Sequence, residues 1–271
     1  MRSSGRPKTS PATCNDCFAL LDARLRGAVE AAVARGADPH DALRGLYISD
    51  EQALALAAEG GRSPAPPALT FAAERLGLGD VDGVVLALCA APELDPRFGR
   101  LYAFLHDDVT RKLASPRLAA DLLADESVSR SDVLARFSPG APLARTGAIR
   151  MLSGEPATAL ADRQVKVADR LAAFLLGAAD LADAAAGSAL RHVPPDEDTG
   201  RDDATEQLRL LLAADTRLPL VACGPDAGAV LAAAARTPVV LLASRELERP
   251  DALADARLAA ALEGGLLCID G

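Results

Sequence analysis

The stretch AIRMLSGEPATALADRQVKV, residues 148–167, has the composition of two short strands joined by a turn. Residues 148–152 can form the first strand, and 160–167 can return beside it as the second. Between them, residues 153–156 combine serine, glycine, glutamate and proline, which is typical of a turn. We therefore predict a β-hairpin, followed by a helix over 170–176.

Three short helices are predicted immediately before this hairpin. Ser115-Pro116 is an N-cap with proline at the first helical position, and it leads a helix over 118–124. Ser129 or Ser131 caps a second helix, and a third covers 141–146. Three short helices followed by a hairpin is the order of a winged-helix module.

The chain ahead of this module is predicted to be helical behind a disordered tail. Residues 1–13 are rich in Ser, Pro, Arg and Lys, which is typical of disorder. Apolar spacings of three and four and clear caps predict helices over 18–33, 50–58, 69–76 and 81–91. Pro92 is expected to end the last of these helices.

The segment LDPRFGRLYAFLHDD, residues 94–108, is dense in aromatic and charged side chains. An aromatic cluster at helical spacing is most simply a core helix with ion pairs at its edges. The alternative is a partner-docking surface. Its candidate residues are Arg97, Phe98, Arg100, Tyr102, Asp107 and Asp108.

Residues 192–205 are the clearest domain boundary in the sequence. They contain two prolines, a glycine and many acids with almost nothing apolar, which predicts a linker. Beyond it we predict a helix over 206–214 and three buried strands, at 220–222, 237–243 and 265–270.

The turn after the first of these strands has the outline of a phosphate-binding loop without its chemistry. Gly224, Pro225 and Gly228 follow an apolar strand and precede a helix, as in a P-loop. Ala229 and Val230, however, replace the lysine and the hydroxyl residue that bind phosphate and Mg²⁺. We therefore expect no catalytic residue and no cofactor, apart from weak binding of ATP or ADP with Mg²⁺ as an alternative.

Composition argues against several other classes of protein. The 271-residue chain has 50% hydrophobic but only 3% aromatic residues, and its net charge of −9 opposes general nucleic-acid binding. No stretch is apolar enough for a membrane span, and the scattered cysteines suit reduced thiols in the cytoplasm. Cys14 and Cys17 form a CxxC without the further ligands of a zinc site, so no metal is expected.

A winged helix can nevertheless bind DNA through its third helix and its wing. Acids such as Asp132, Glu155 and Asp162 are interleaved with the cations of this region. Those cations are Arg136, Arg145, Arg150, Arg163 and Lys166. DNA binding is therefore the alternative to protein docking.

Three phrases carry a resemblance to a known family. They are GLYISDEQALALA (45–57), ELDPRFGRLYAFLHDDVTRKLASPRLAADLL (93–123) and VADRLAAFLLG (167–177). The chain resembles the front part of the AAA-family ATP-binding proteins of bacterial contractile, phage-tail-like injection systems. The resemblance implies a degenerate AAA module after the winged helix, with Asp270 at the Walker B position and hydrolysis in a second module downstream. Because no second module follows Gly271, we expect a fragment of a longer ATPase or a split reading frame.

The expected fold is mainly α, with a helical N-terminal region, a winged-helix module and then a partial α/β sheet of the P-loop, AAA+-like kind. The expected boundaries are 1–13 (tail), 14–114 (helical), 115–191 (winged helix), 192–205 (linker) and 206–271 (truncated AAA+-like domain). The leading hypothesis is a non-catalytic adaptor region of an AAA+ ATPase, whose partner is a protein or an AAA+ module in trans. The alternatives are a DNA-binding regulator and a weak nucleotide sensor.

Overall fold

The computed structural model describes the chain in eight ranges. They are residues 15–35, 48–60, 67–154, 157–178, 190–195, 203–213, 226–249 and 251–270. The described residues are mainly helical, with two small sheets. Two compact units are formed, one by Met1–Arg145 with Ile149–Val167 and the other by Thr146–Ala148 with Ala168–Gly271.

Among the described residues, five helices open the first unit, close to their predicted positions. They are α1 (Asn15–Ala34), α2 (Asp50–Ala58), α3 (Pro67–Arg75), α4 (Asp80–Leu94) and α5 (Pro96–His106). The predicted cap of α2 is confirmed, because the Ser49 hydroxyl accepts from the backbone N–H of Gln52 and the side-chain oxygen of Gln52 accepts from the backbone N–H of Ser49. The apolar side of α1 packs on α4, whose middle turns are buried all round.

The prediction that Pro92 ends α4 is wrong, because the helix continues to Leu94. Proline has no N–H to donate to the carbonyl four residues earlier, which is that of Leu88. Here the Tyr102 hydroxyl donates to the Leu88 carbonyl oxygen at 2.8 Å. A side chain of α5 thus replaces the missing backbone donor, and the helix continues through the proline.

The winged helix follows in the first unit, as its sequence pattern predicts. Its elements are α6 (Pro116–Leu123), α7 (Arg130–Ala135), α8 (Pro142–Arg145), β1 (Ile149–Met151), a short 3-10 helix (Leu160–Asp162) and β2 (Val165–Val167). β1 and β2 are antiparallel, with Ile149 opposite Val167 and Met151 opposite Val165. Ser115 caps α6, as predicted. Of the two serines predicted as possible caps of α7, Ser129 is the one that caps it.

The second strand of the hairpin is shorter than predicted, since Leu160–Asp162 is helical rather than extended. The cause is the side chain of Asp162, whose carboxylate accepts from the Arg117 guanidinium on α6 at 2.9 Å. Arg111 also donates to the Asp162 carbonyl oxygen. These bonds hold Asp162 against α6, so the chain joins the hairpin only from Val165 onward.

The second unit contains a three-stranded sheet with helices on both faces. Its strands are β3 (Arg191–Val193), β4 (Val239–Ala243) and β5 (Leu266–Asp270), in the order β3-β4-β5. β4 is parallel to β5 and antiparallel to β3. Its helices are α9 (Asp169–Leu175), α10 (Asp203–Ala213), α11 (Ala227–Ala235) and α12 (Ala252–Glu263).

The core of this unit is arranged around β4. Val239 and Leu241 pack with Leu231 of α11, whereas Val240 packs with Ala259 and Ala260 of α12. Successive side chains of a strand point to opposite faces, so β4 is buried on both of its faces. The predicted buried strand near 237–243 is therefore confirmed. A strand also forms at the predicted place near 265–270, but its predicted burial is wrong, because β5 is an edge strand whose side chains are half-buried or exposed.

Other C-terminal expectations differ from the structure. The predicted linker is wrong at its start, because His192 and Val193 belong to β3 and pair with β4. α9 falls in the second unit rather than with the winged helix. The strand expected at 220–222 lies outside the described residues. The sheet that is described has an antiparallel edge and does not show the P-loop sheet of an AAA+ module.

We predict that Tyr102→Phe lowers the free energy of unfolding by about 1–2 kcal/mol, because it leaves the buried Leu88 carbonyl without a donor. The loss should be smaller in a Pro92→Ala background, where the backbone N–H gained at position 92 can donate to the same oxygen. Urea unfolding of the four proteins of this double-mutant cycle measures the difference. An equal loss in both backgrounds would show that the hydroxyl does not replace the proline's missing donor.

Candidate partner-binding surfaces

Three of the six residues predicted to bind a partner belong to the core. Arg97, Phe98 and Tyr102 are 8%, 1% and 0% exposed. The Arg97 guanidinium binds the buried Asp22 carboxylate at 2.9 Å and lies 4.4 Å from the centre of the Phe98 ring. Because these side chains are enclosed, they stabilise the fold and cannot contact a partner directly.

The other three candidates lie nearer the surface. Asp107 ends α5 in the left-handed conformation, with φ of 53°. Asp108 accepts hydrogen bonds from the backbone N–H and the hydroxyl of Thr110, which lower the pKa of its carboxyl group. Arg100 is exposed and lines a cleft beside α2. Partner contact by these three residues stays a prediction.

The winged helix carries an apolar groove of about 750 Å³, which we call the wing groove. It lies between α7, α8 and the hairpin. Six of the side chains that line it are Leu134, Phe137, Ile149, Met151, Leu160 and Val165. Leu160 is 66% exposed and Met151 is 37% exposed, so the apolar surface continues out of the groove onto the wing.

Two basic side chains near the wing groove are engaged by carboxylates of the same unit. Arg136 lies 3.5 Å from the carboxylate of the buried Asp82. Burial raises the pKa of Asp82, although the positive charge of Arg136 opposes this shift. Arg117 binds Asp162. The third helix, α8, has four residues and contributes one exposed cation, Arg145. Arg117 and Arg136 are thus paired with carboxylates of the protein, which opposes their use in phosphate contacts.

The predicted nucleotide turn is described only in part. Gly224 and Pro225 lie outside the described residues, and Gly228 lies in the first turn of α11. A β-carbon at Gly228 would lie 3.0 Å from Cδ1 of Leu241, so glycine lets α11 approach the sheet closely. Asp270 ends β5 and lies 3.4 Å from the Arg191 guanidinium. Nucleotide binding by these residues stays a prediction.

The part of the chain that the structure describes contains neither a cluster of potential metal ligands nor a helix that could span a membrane. Within the eight described ranges, no three potential metal ligands are grouped together. Cys17 is buried, and Cys14 lies outside those ranges. None of the helices in the described part of the chain has the length and apolar character needed to cross a bilayer.

Comparison with known proteins agrees with the order of elements in the first unit. A family model described as "Winged helix domain, variant" matches residues 34–189. No curated protein and no solved structure matches the chain.

The sequence did not reveal the wing groove. Its lining comes from six separate elements and a loop, and 160–167 was predicted to be a strand throughout. The signal that could have revealed it is Leu160, an apolar residue in a segment of otherwise small or polar residues.

We predict that Arg117→Gln raises the pKa of Asp162 toward its usual value of about 3.9. The hydrogen bond from Arg117 holds this pKa low, and Arg111 adds a smaller electrostatic effect. A carboxyl group with a lowered pKa stabilises the fold above about pH 4, and this stabilisation is lost as the pH falls through the lowered pKa. The Arg117→Gln variant should therefore lose the part of the pH dependence of its free energy of unfolding that comes from Asp162.

Carboxyl chemical shifts followed by NMR against pH test this prediction. Arg130→Gln is the control, since Arg130 binds Asp121 instead and should leave the pKa of Asp162 unchanged. An unchanged pKa of Asp162 in Arg117→Gln would contradict the assigned contact.

Proposed function

Because the chain belongs to the family of variant winged helix domains, we propose that its winged helix is a protein-docking module that binds a partner in the wing groove. The observation that carries this proposal is the apolar groove itself, with Leu160 and Met151 exposed at its edge. Large apolar side chains exposed beside a concave apolar surface are typical of protein-binding sites.

DNA binding is the second candidate, because winged helices are used for both purposes. The charges of this surface favour protein. Arg117 and Arg136 are engaged by Asp162 and Asp82, and the chain as a whole carries a net charge of −9. Protein cations that neutralise phosphates release the counterions held by the DNA, and two arginines of this surface are already neutralised within the protein.

A finer proposal concerns the partner. The phrases at 45–57, 93–123 and 167–177 support an adaptor of an AAA+ ATPase in a contractile injection system, with no catalysis by this chain. The partner would then be an AAA+ module in trans. This assignment rests on sequence resemblance alone, and it is separable from docking at the wing groove.

We predict that a photo-cross-linking residue in place of Leu160 captures one dominant protein in the cells that make this chain. The same residue in place of the exposed Glu126, which lies between α6 and α7, should not capture that protein. Met151→Asp should abolish the adduct, because it places a charge at the edge of the apolar groove. Leu160 is mostly exposed, so its replacement should change stability by less than about 0.5 kcal/mol.

The adduct also distinguishes the two levels of the proposal. If the captured protein is an AAA+ ATPase, the finer assignment is supported. If it is a different protein, docking at the wing groove is still supported, but the proposal of an AAA+ partner is overturned. Capture of nucleic acid at position 160, or equal capture of the same protein from position 126, contradicts docking at the groove.

We further predict no salt-dependent binding to random duplex DNA, measured by fluorescence anisotropy at low and at physiological ionic strength. Phosphate contacts would make the affinity fall steeply with salt. Such a fall, together with its loss in an Arg145→Gln, Lys166→Gln variant, would establish the DNA-binding alternative.

A further inference from the structure

A second concave surface lies on the first unit, away from the residues that line the wing groove. It is a cleft of about 640 Å³ between α2, α5 and the loop 107–113. Ala55, Leu56, Ala103 and Val109 supply apolar lining, and Arg100 and Lys112 supply positive charge. We call it the basic cleft.

The two cations of the basic cleft are not neutralised within the described part of the chain. Arg97, one turn before Arg100, binds Asp22, and Arg111, next to Lys112, lies near Asp162. Neither Arg100 nor Lys112 has such a carboxylate among the described residues, and none of the described residues that line the cleft is acidic. Two cations on one cleft of an acidic protein, with no carboxylate partner among the described residues, point to a ligand that supplies the negative charge.

The loop that carries Lys112 is held firmly from both ends. Asp108 accepts from the Thr110 N–H at 2.9 Å, and the Leu113 N–H donates to the Gln164 side chain at 3.2 Å. A β-carbon at Gly99 would lie 3.6 Å from that of Lys112, which places the lysine directly beside α5. Because the loop is already ordered, little conformational entropy is lost when a ligand binds.

The neighbouring polar group is also fixed. Gln52 uses its amide oxygen to accept from the Ser49 N–H in the cap of α2. Its amide nitrogen is therefore the group left to donate at the edge of the basic cleft, to a carboxylate or a peptide carbonyl.

We propose that the basic cleft binds an acidic peptide segment of a partner protein, with an apolar side chain of the peptide on the floor and its carboxylates on Arg100 and Lys112. The floor requires an apolar group, which inorganic phosphate lacks. No aromatic side chain lines the cleft, among the described residues, for bases to stack on, which disfavours single-stranded nucleic acid. The inference does not depend on docking at the wing groove.

Fluorescence anisotropy with the full chain tests this proposal. The probes are labelled peptides that place Leu, Ile or Phe between aspartates, together with versions in which asparagine replaces every aspartate. We expect saturable binding of at least one acidic peptide, with an affinity that falls as salt is added. The asparagine versions and a peptide with glycine in place of its apolar residue should bind more weakly.

The decisive variant is Arg100→Gln with Lys112→Gln. It should weaken binding by at least about tenfold, which corresponds to about 1.4 kcal/mol. The matched control is Arg26→Gln with Arg257→Gln, which removes the same charge from two exposed arginines elsewhere and should bind nearly as the unsubstituted chain does. Thermal unfolding of both variants checks that each is folded.

Several results would overturn the proposal. One is that the unsubstituted chain shows no saturable binding up to millimolar peptide. Another is that the two double variants lose the same amount of affinity, or that the asparagine peptides bind as tightly as the aspartate peptides. The last is that inorganic phosphate at ordinary ionic strength displaces the peptide completely. Leu160→Asp in the wing groove should leave this binding unchanged. The two docking surfaces can therefore fail separately.

Discussion

The first unit depends on one buried guanidinium. Arg97 lies on α5, but it binds the Asp22 carboxylate of α1 at 2.9 Å and donates to the Leu56 carbonyl oxygen of α2 at 3.4 Å. Its Nε also binds Asp95, which caps the helix that carries Arg97. A charge this deeply buried is tolerated only when it is paired, and removing one partner of such a pair typically costs about 3–5 kcal/mol. Three helices are therefore fixed relative to one another by a single side chain.

The same constraint determines what these helices present at their surface. Arg100, one turn after Arg97 on α5, is exposed and lines the cleft between α5 and α2. The contact between α2 and α5 thus has the Arg97–Asp22 ion pair on its buried side and the basic cleft on its exposed side. Residues that looked alike in sequence, Arg97 and Arg100, are separated by the fold into a core group and a surface group.

In the winged helix, ion pairs decide the shape of the wing. Arg117 holds Asp162 against α6, and this contact replaces the first half of the predicted second strand with a short 3-10 helix. Leu160 is left 66% exposed beside the groove formed by Phe137 and Ile149. Arg117 and Arg136 are used in ion pairs within the protein, and the apolar surface is left for a partner.

Local signals in the sequence were sufficient for much of the secondary structure. Serine caps at 49, 115 and 129 and the apolar spacing of α1 predicted their helices, because these effects act within a turn or two of the chain. The order of three helices and a hairpin likewise predicted the winged helix.

Tertiary structure decided the rest. Pro92 does not end α4, because a tyrosine from the next helix donates to the carbonyl that proline leaves free. Residues 192 and 193 form a strand in a segment of linker composition, because β4 lies beside them. The sequence by itself thus determined the helices, their caps and the winged-helix order, whereas only the folded chain decided which charges are paired and which surfaces stay open. Pairing depends on distances between residues far apart in the chain, which composition and spacing do not contain.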